Sequence, residues 1–354
     1  MTQTLTKLAF QTFQQGKRYF GLAHKTLTTQ LLNLVSPPET PIALKSLTPE
    51  LLLKIQKRAD DILEVDWQDA ERGVYPMDLL FENDWDEFFR YYPMVCWDAS
   101  QIWERSKKNQ FKEFPPEIDK TDFPNYYLQN FHHQTDGYLS DFSASLYDLQ
   151  VDILFNGAAD AMRRRVLAPL KEGLKSLVLT PETQPLRILD VACGTGRTLK
   201  FIRSALPKAS LHGVDLSPAY LRKANQLLSK LPGTLPQLLQ ANAEELPYVD
   251  DYFNAITCVF LFHELPAPIR QRVIDQCFRV TKPGGMFVIC DSIQLNDSPE
   301  FEALMHNFPA TFHEPFYTNY IQDDLKERLD KAGFTDIQIK VHFMSKYWIA
   351  RKPA

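Results

Sequence analysis

The stretch RILDVACGTGRTLKFI, Arg187 to Ile202, constrains the fold more than any other part of the chain. A β-rich apolar run ends in Ala192, Gly194 and Gly196, and a helical run starts at once. Small residues at such a junction let the backbone turn tightly and approach a ligand closely. Beyond it, the short β runs SLHGVDLS, QLLQANAEEL, NAITCVFLF and GMFVICDS alternate with helical patterns. Strands separated by helices predict a parallel α/β sheet. The final FTDIQIKVHFMSKYWIARKP alternates β-branched and aromatic residues and predicts one or two closing strands.

The loop departs from both common phosphate-binding patterns. A phosphate loop ends in Gly-Lys-Ser or Gly-Lys-Thr, so that a lysine reaches the terminal phosphates. Here Arg197 and Thr198 follow Gly196. A dinucleotide loop needs a third glycine three residues after the second, for close helix–sheet packing over a pyrophosphate. Leu199 stands there. Two acids frame what remains. Asp190 sits at the end of the first strand, and Asp215 ends LHGVD, nineteen positions after Gly196. An acid at that spacing is placed to accept hydrogen bonds from ribose hydroxyls. A ligand with a ribose, no phosphate and a cationic amino-acid end suits this set, and S-adenosylmethionine (SAM) is such a ligand.

Four segments in order carry a family resemblance. ILDVACGTGRTLKFI resembles motif I of class I SAM-dependent methyltransferases, and VDLSPAYLRKA resembles their second-strand motif. ANAEELPYVDDYFNAITCVFLFHEL is similar to the third and fourth strands of the quinone and sterol subgroup, and CFRVTKPGGMFVICD to the later helix, turn and fifth strand. The resemblance covers about residues 185 to 350. It implies a doubly wound, mostly parallel, seven-stranded Rossmann-like sheet within residues 151–354, SAM as methyl donor and S-adenosylhomocysteine as product. It further implies that Asp190 lies near the methionyl amino group. Ala192, Cys193, Gly194 and Gly196 would line the cofactor through their backbone, and Phe260 would also contact it. Asp215 would hold the ribose with Leu216 beside the adenine, and Asn242 and Ala243 would face the adenine edge. Many relatives carry Asp where this chain has Asn242, and an amide can still accept and donate there. Ala192 replaces a glycine of many relatives.

The preceding residues have another texture. Residues 1–38 hold no acid but carry Lys7, Lys17, Arg18 and Lys25, with Phe20, Ala23, Leu27, Leu31 and Leu34 at helical spacing. We expect a helix packed on the body, with membrane-surface contact or an organelle transit segment as alternatives. SPPETP then breaks the chain. A helix follows in LTPELLLKIQKRADDILEVDW, with Thr48 as cap and Pro49 at its first position. The acidic stretch Asp60–Glu87 is expected to be a solvated helix face. Aromatics crowd residues 67–147, which predicts an all-helical domain over residues 1–150 that walls an apolar pocket. A long helix is expected over residues 143–177, broken near Gly157, and ended by TPETQP.

Methyl transfer from a sulfonium is an in-line displacement, so the protein mainly positions the acceptor and excludes water. No universal catalytic residue can therefore be read off. His263, just beyond the fourth strand, stands where a base would serve. Glu264 is expected to start a helix. SASLYD resembles the Ala-x-x-Tyr-Asp element that covers the cofactor in quinone-type methyltransferases. That makes His132, His133, Asp136, Tyr138 and Tyr147 candidates for the acceptor side. The insertion MHNFPATFHEPFYTNYIQDD adds His306, His313, Phe316 and Tyr317. Adjacent histidines on one short segment seldom suffice for a metal, so none is expected from His132, His133 and Asp136. A net charge of −5 argues against nucleic acid as a partner. Five scattered cysteines without a CxxC pair, no spanning apolar run and no secretory leader predict a cytoplasmic protein. The expected activity is methylation of a small, partly apolar or aromatic acceptor. The alternatives are a membrane-associated enzyme for a quinone-like lipid, and a non-catalytic SAM-binding regulator.

Overall fold

The computed structural model describes residues 2–35, 48–178 and 185–354. The two proline-rich breaks, residues 36–41 and 180–185, lie outside the described residues except for Pro185. Six helices precede the sheet: α1 (Thr2–Val35), α2 (Pro49–Glu71), α3 (Trp85–Lys108), α4 (Asp141–Leu154), α5 (Ala159–Arg164) and α6 (Leu167–Val178). Then come β1 (Arg187–Val191), α7 (Arg197–Ala205), β2 (Ser210–Asp215), α8 (Pro218–Leu228), β3 (Gln237–Gln240), β4 (Phe253–Val259), α9 (Ala267–Val280) and β5 (Thr281–Ser292). The chain ends with α10 (Glu302–Phe312), α11 (Tyr317–Tyr320), α12 (Leu325–Ala332), β6 (Thr335–His342) and β7 (Ser345–Arg351).

The seven strands run in the order β3-β2-β1-β4-β5-β7-β6, with β7 antiparallel to both neighbours and the rest of the core parallel. Alternation along each strand builds two cores. Ile188 of β1 faces Leu170, Leu199 and Leu228 from α6, α7 and α8, whereas Leu189 and Val191 face Val273 and Cys277 of α9. Winding outward from β1 in one direction and from β4 in the other leaves a crevice at their carboxyl ends, where ligands bind in such sheets. Both strand exits use left-handed residues, Ala192 at φ +54° and Phe260 at φ +59°.

The long segment before the sheet is three helices rather than one. Asn156 and Gly157 take φ +52° and +87° at the break, and a Cβ on Gly157 would lie 2.6 Å from Lys17 Cβ. Position 150, where the sequence suggests a domain division, lies inside α4.

Two surface expectations are corrected. On α1, Ala23, Leu27 and Leu31 are exposed, while Phe10, Gln14, Gly21 and His24 face the body. Phe10 packs on Trp67 of α2 with ring centroids 5.6 Å apart. In the acidic stretch, Asp66 and Asp69 are fully buried and pair with Arg164 and Arg165. Solvation does not explain those two acids; a buried guanidinium opposite each does. All five cysteines are unpaired. Among the described residues no helix is long and apolar enough to cross a membrane.

Candidate active site

The loop after β1 is fixed by backbone bonds. Cys193 N–H donates to Val214 O at 2.9 Å, and Gly196 N–H to Cys193 O at 2.9 Å. Gly196 opens α7 at φ +82°, where a Cβ would lie 3.0 Å from Ala224 Cβ of α8. Its glycine thus serves both a left-handed turn and a close helix–helix approach. Asp215 receives Gly194 N–H on Oδ2 and Ser217 N–H on Oδ1, each at 2.8 Å. Burial pushes its carboxyl up to about 6 despite these bonds. Asp190 accepts the Thr257 hydroxyl at 2.6 Å, and burial, with the Asp215 charge nearby, raises it to about 7.

A cleft opens over this loop. Ala192, Gly194, Asp215, Leu216, Asn242, Ala243 and Phe260, all singled out in the sequence, line it. Asp190, Cys193 and Gly196 do not; they stand behind the wall and shape it. Asn242 caps its own turn, with Oδ1 accepting Glu244 N–H at 3.0 Å. The sequence did not single out Tyr126, Tyr127 or Tyr220, which also line it. They were indistinguishable from core aromatics in an aromatic-rich chain.

Behind the cleft lies a second, mostly apolar cavity of about 300 Å³. Residues of α1, α2, α4 and α10 wall it, among them Leu22, Ile55, Val151 and Phe308, and Phe343 closes it. His132, His263 and Tyr317 line this cavity, and Tyr138 lines the first cleft. Tyr147, Phe260 and Glu264 line both. Other proposed acceptor residues are elsewhere. His133 and His313 lie against each other, ring centroids 5.6 Å apart, and His313 stacks on Phe111. His306 is exposed beside Glu302, and Phe316 spends its carbonyl on Arg270. Asp136 forms a turn at φ +64°, its carbonyl accepting from Leu139.

A polar knot joins the two spaces. His132, His263, Glu264 and Glu314 each bring one atom into a set spanning at most 4.8 Å. Glu264 sits on the turn Phe262–Glu264, not at the start of α9, and accepts the Tyr138 hydroxyl. His263 Nδ1 lies 2.7 Å from Asp291 Oδ1, while Asp291 Oδ2 takes Phe262 N–H at 2.7 Å. Burial works against the His263 charge, but Asp291 outweighs it and lifts the imidazole to about 9. With Nδ1 held by Asp291, the other ring nitrogen, Nε2, faces Glu264 at 3.9 Å. Burial raises Glu264 to about 7 and Glu314 well above the usual carboxylate range, and it lowers His132 to about 3. Asp291 was legible in principle, as an acid at the carboxyl end of β5. Glu314 carries no local signal.

The chain is similar to known methyltransferases. The model of a methyltransferase domain family matches residues 188–285, from β1 into β5. A malonyl-[acyl-carrier protein] O-methyltransferase of Geobacter sulfurreducens is 27% identical over 192 residues, 52% of this chain and 68% of that one. A demethylmenaquinone methyltransferase of Thermotoga maritima is 30% identical over 186 residues, 52% of this chain and 73% of that one. Human N-acetylserotonin methyltransferase, solved in complex with SAM, shares the fold at a TM-score of 0.51 with 14% identity, over 76% of this chain and 70% of that one. With the glycine loop, the acid after β2 and the seven-stranded sheet in place, the chain belongs to the class I SAM-dependent methyltransferases and takes SAM as its cofactor.

Proposed function

We propose that the protein moves the methyl group of SAM to a small, partly apolar or aromatic acceptor bound under the N-terminal helices. One observation carries this reading: the cofactor cleft and the apolar cavity share Tyr147, Phe260 and Glu264 as common wall. A methyl donor in the first and an acceptor in the second would meet across that wall, as an in-line displacement requires. Apolar walls exclude water, and the histidine–glutamate knot is the polar end that would orient the accepting atom. Within this reading, Asp215 holds the ribose, Leu216, Asn242 and Ala243 flank the adenine, and residues 1–150 act as the cap. His132, His263, Tyr138, Tyr147 and Tyr317 face the acceptor.

Incubation with methyl-labelled SAM and a fractionated metabolite extract tests it. The expected result is one labelled product in the apolar or aromatic fractions, identified by mass. Label confined to highly charged metabolites overturns the acceptor class. SAM binding with no labelled product in any fraction favours a non-catalytic SAM-binding protein.

A second reading has its own observation. The helix α1 exposes Leu5, Leu8, Tyr19, Leu22, Leu27 and Leu31, a surface suited to a lipid interface and hence to a quinone-like acceptor. Its basic residues are turned inward: Lys7, Lys17 and Arg18 pair with Glu64, Asp152 and Asp60. Membrane contact would then be apolar rather than electrostatic. Flotation with neutral vesicles is expected to carry the wild type and to lose L8E/L27E/L31E. Equal recovery of both in the soluble fraction eliminates the lipid reading.

A further inference from the structure

We propose that His132, His263, Glu264 and Glu314 form a binding site for a divalent first-row transition cation, which holds an acceptor oxygen beside the methyl donor. The cation's role in catalysis rests on the acceptor reading above; the site itself does not.

The geometry supports the site first. Ligand atoms around such an ion at about 2.0–2.2 Å lie roughly 3–4.4 Å apart. Here His132 Nε2 lies 3.5 Å from Glu264 Oε1 and 2.6 Å from Glu314 Oε1, and His263 Nε2 lies 3.9 Å from Glu264 Oε1. The full set spans 4.8 Å; parting the close His132–Glu314 pair and drawing the outer atoms in, each by well under ~1 Å, completes a coordination sphere. Unsatisfied atoms come next. His132 Nε2 and both Glu314 carboxylate oxygens are buried with no hydrogen-bond partner; the short His132–Glu314 contact does not meet at hydrogen-bonding angles. Glu314 is only 1% exposed. Buried polar atoms are otherwise almost always paired, and a cation is one partner that an imidazole nitrogen and two carboxylate oxygens accept together.

The outer contacts fit as well. Asp291 holds His263 through Nδ1 at 2.7 Å, leaving Nε2 toward the knot, which is the carboxylate–histidine arrangement that orients a metal ligand. Tyr138 donates to Glu264 in the same way. Two imidazoles with two carboxylates favour manganese, iron, cobalt or zinc over magnesium or calcium, which prefer all-oxygen sites. The sequence expectation of no metal weighed His132 with His133 and Asp136; the last two take no part here, and His263, Glu264 and Glu314 stand in their place. With an acceptor hydroxyl bound, the cation would favour its alkoxide or phenolate, the proton leaving to solvent. The oxygen–methyl bond then forms as the carbon–sulfur bond breaks, and the electron pair stays on sulfur.

The test uses the full-length protein, stripped with a chelator and titrated separately with Mn2+, Co2+, Zn2+ and, anaerobically, Fe2+. At least one ion is expected to bind at one equivalent by calorimetry and elemental analysis, and bound Co2+ should show a ligand-field spectrum. Glu314→Gln and His132→Ala should abolish this binding, Asp291→Ala should weaken it roughly 10–100-fold, and His306→Ala on the surface should leave it unchanged. SAM affinity, measured on each variant, reports whether the fold is intact. Absence of stoichiometric binding by all four ions in protein that still binds SAM overturns the site, as does full binding by a SAM-competent Glu314→Gln. Equal product formation by stripped and loaded protein overturns the catalytic role. Metal bound as described, with no methylated product from the extract, leaves the site standing and fails the acceptor reading instead.

Discussion

Replacing Asp215 by alanine is expected to weaken SAM binding by about 100-fold, on the order of 3 kcal/mol. The carboxylate ends β2 with each oxygen already holding one backbone N–H, from Gly194 and Ser217. Each oxygen keeps capacity for a further donor, and a ribose diol supplies two. Hydrogen bonds to a charged group in a buried site contribute roughly 1.5–3 kcal/mol each. Alanine also frees the two backbone donors and loosens the loop they pin. Asp215→Asn is expected to be nearly as harmful, because either orientation of the amide sets its NH2 against a backbone N–H. The pH dependence follows from burial, which raises the carboxyl to about 6. Ribose hydroxyls donate to the ionised form, so affinity is full well above that value and falls as pH drops through it. Calorimetry of the wild type and both variants between about pH 5 and 8 checks all three statements. An unchanged Kd in Asp215→Ala would show that the ribose lies elsewhere.

What the sequence could express was local. The glycine loop, the strand ends and the β–α alternation are short-range patterns, so a parallel α/β sheet and the place of Asp215 at a strand end were readable from them, and the doubly wound order came with the family resemblance. Asp215 was findable because its distance from Gly196 is set by one helix and one strand. Helical spacing on α1 located apolar stripes but not which stripe would be covered. The buried face turned out to hold Gln14 and His24, with Ala23, Leu27 and Leu31 left outside. The polar knot was invisible for a stronger reason. Its donors come from the turn at Phe131–His133, the turn after β4 and the end of α10, and only the closed fold brings them within one coordination distance. The acidic stretch of α2 misled in the same way, since the partners of Asp66 and Asp69 follow nearly a hundred residues later.

That last pairing predicts the largest effect on stability. Asp66→Ala should destabilise the protein by roughly 3–5 kcal/mol. Asp66 is fully buried and meets Arg164 with two bonds, Nε at 3.0 Å and Nη2 at 2.5 Å, while accepting the Tyr75 hydroxyl at 2.6 Å. Arg164 lies in α5, 3% exposed, with its guanidinium 5.3 Å from the Phe201 ring centroid of α7. Truncating the acid leaves that guanidinium buried with only a long contact, 3.5 Å, to Leu79 O. The cost is therefore the desolvation of an orphaned cation rather than the net strength of the pair. The distinction can be measured. If the orphan dominates, Asp66→Leu combined with Arg164→Met should recover most of the loss, because apolar groups of similar volume replace a buried pair at little net cost. Urea denaturation of the wild type, Asp66→Leu, Arg164→Met and the double variant, with Asp66→Ala beside them, gives the coupling directly. A double variant no better than Asp66→Ala would mean that the ion pair itself joins α2 to the helices beside the sheet. A single-variant loss below about 1 kcal/mol would mean that water or another acid reaches Arg164 and that the pair is not the fastening described here.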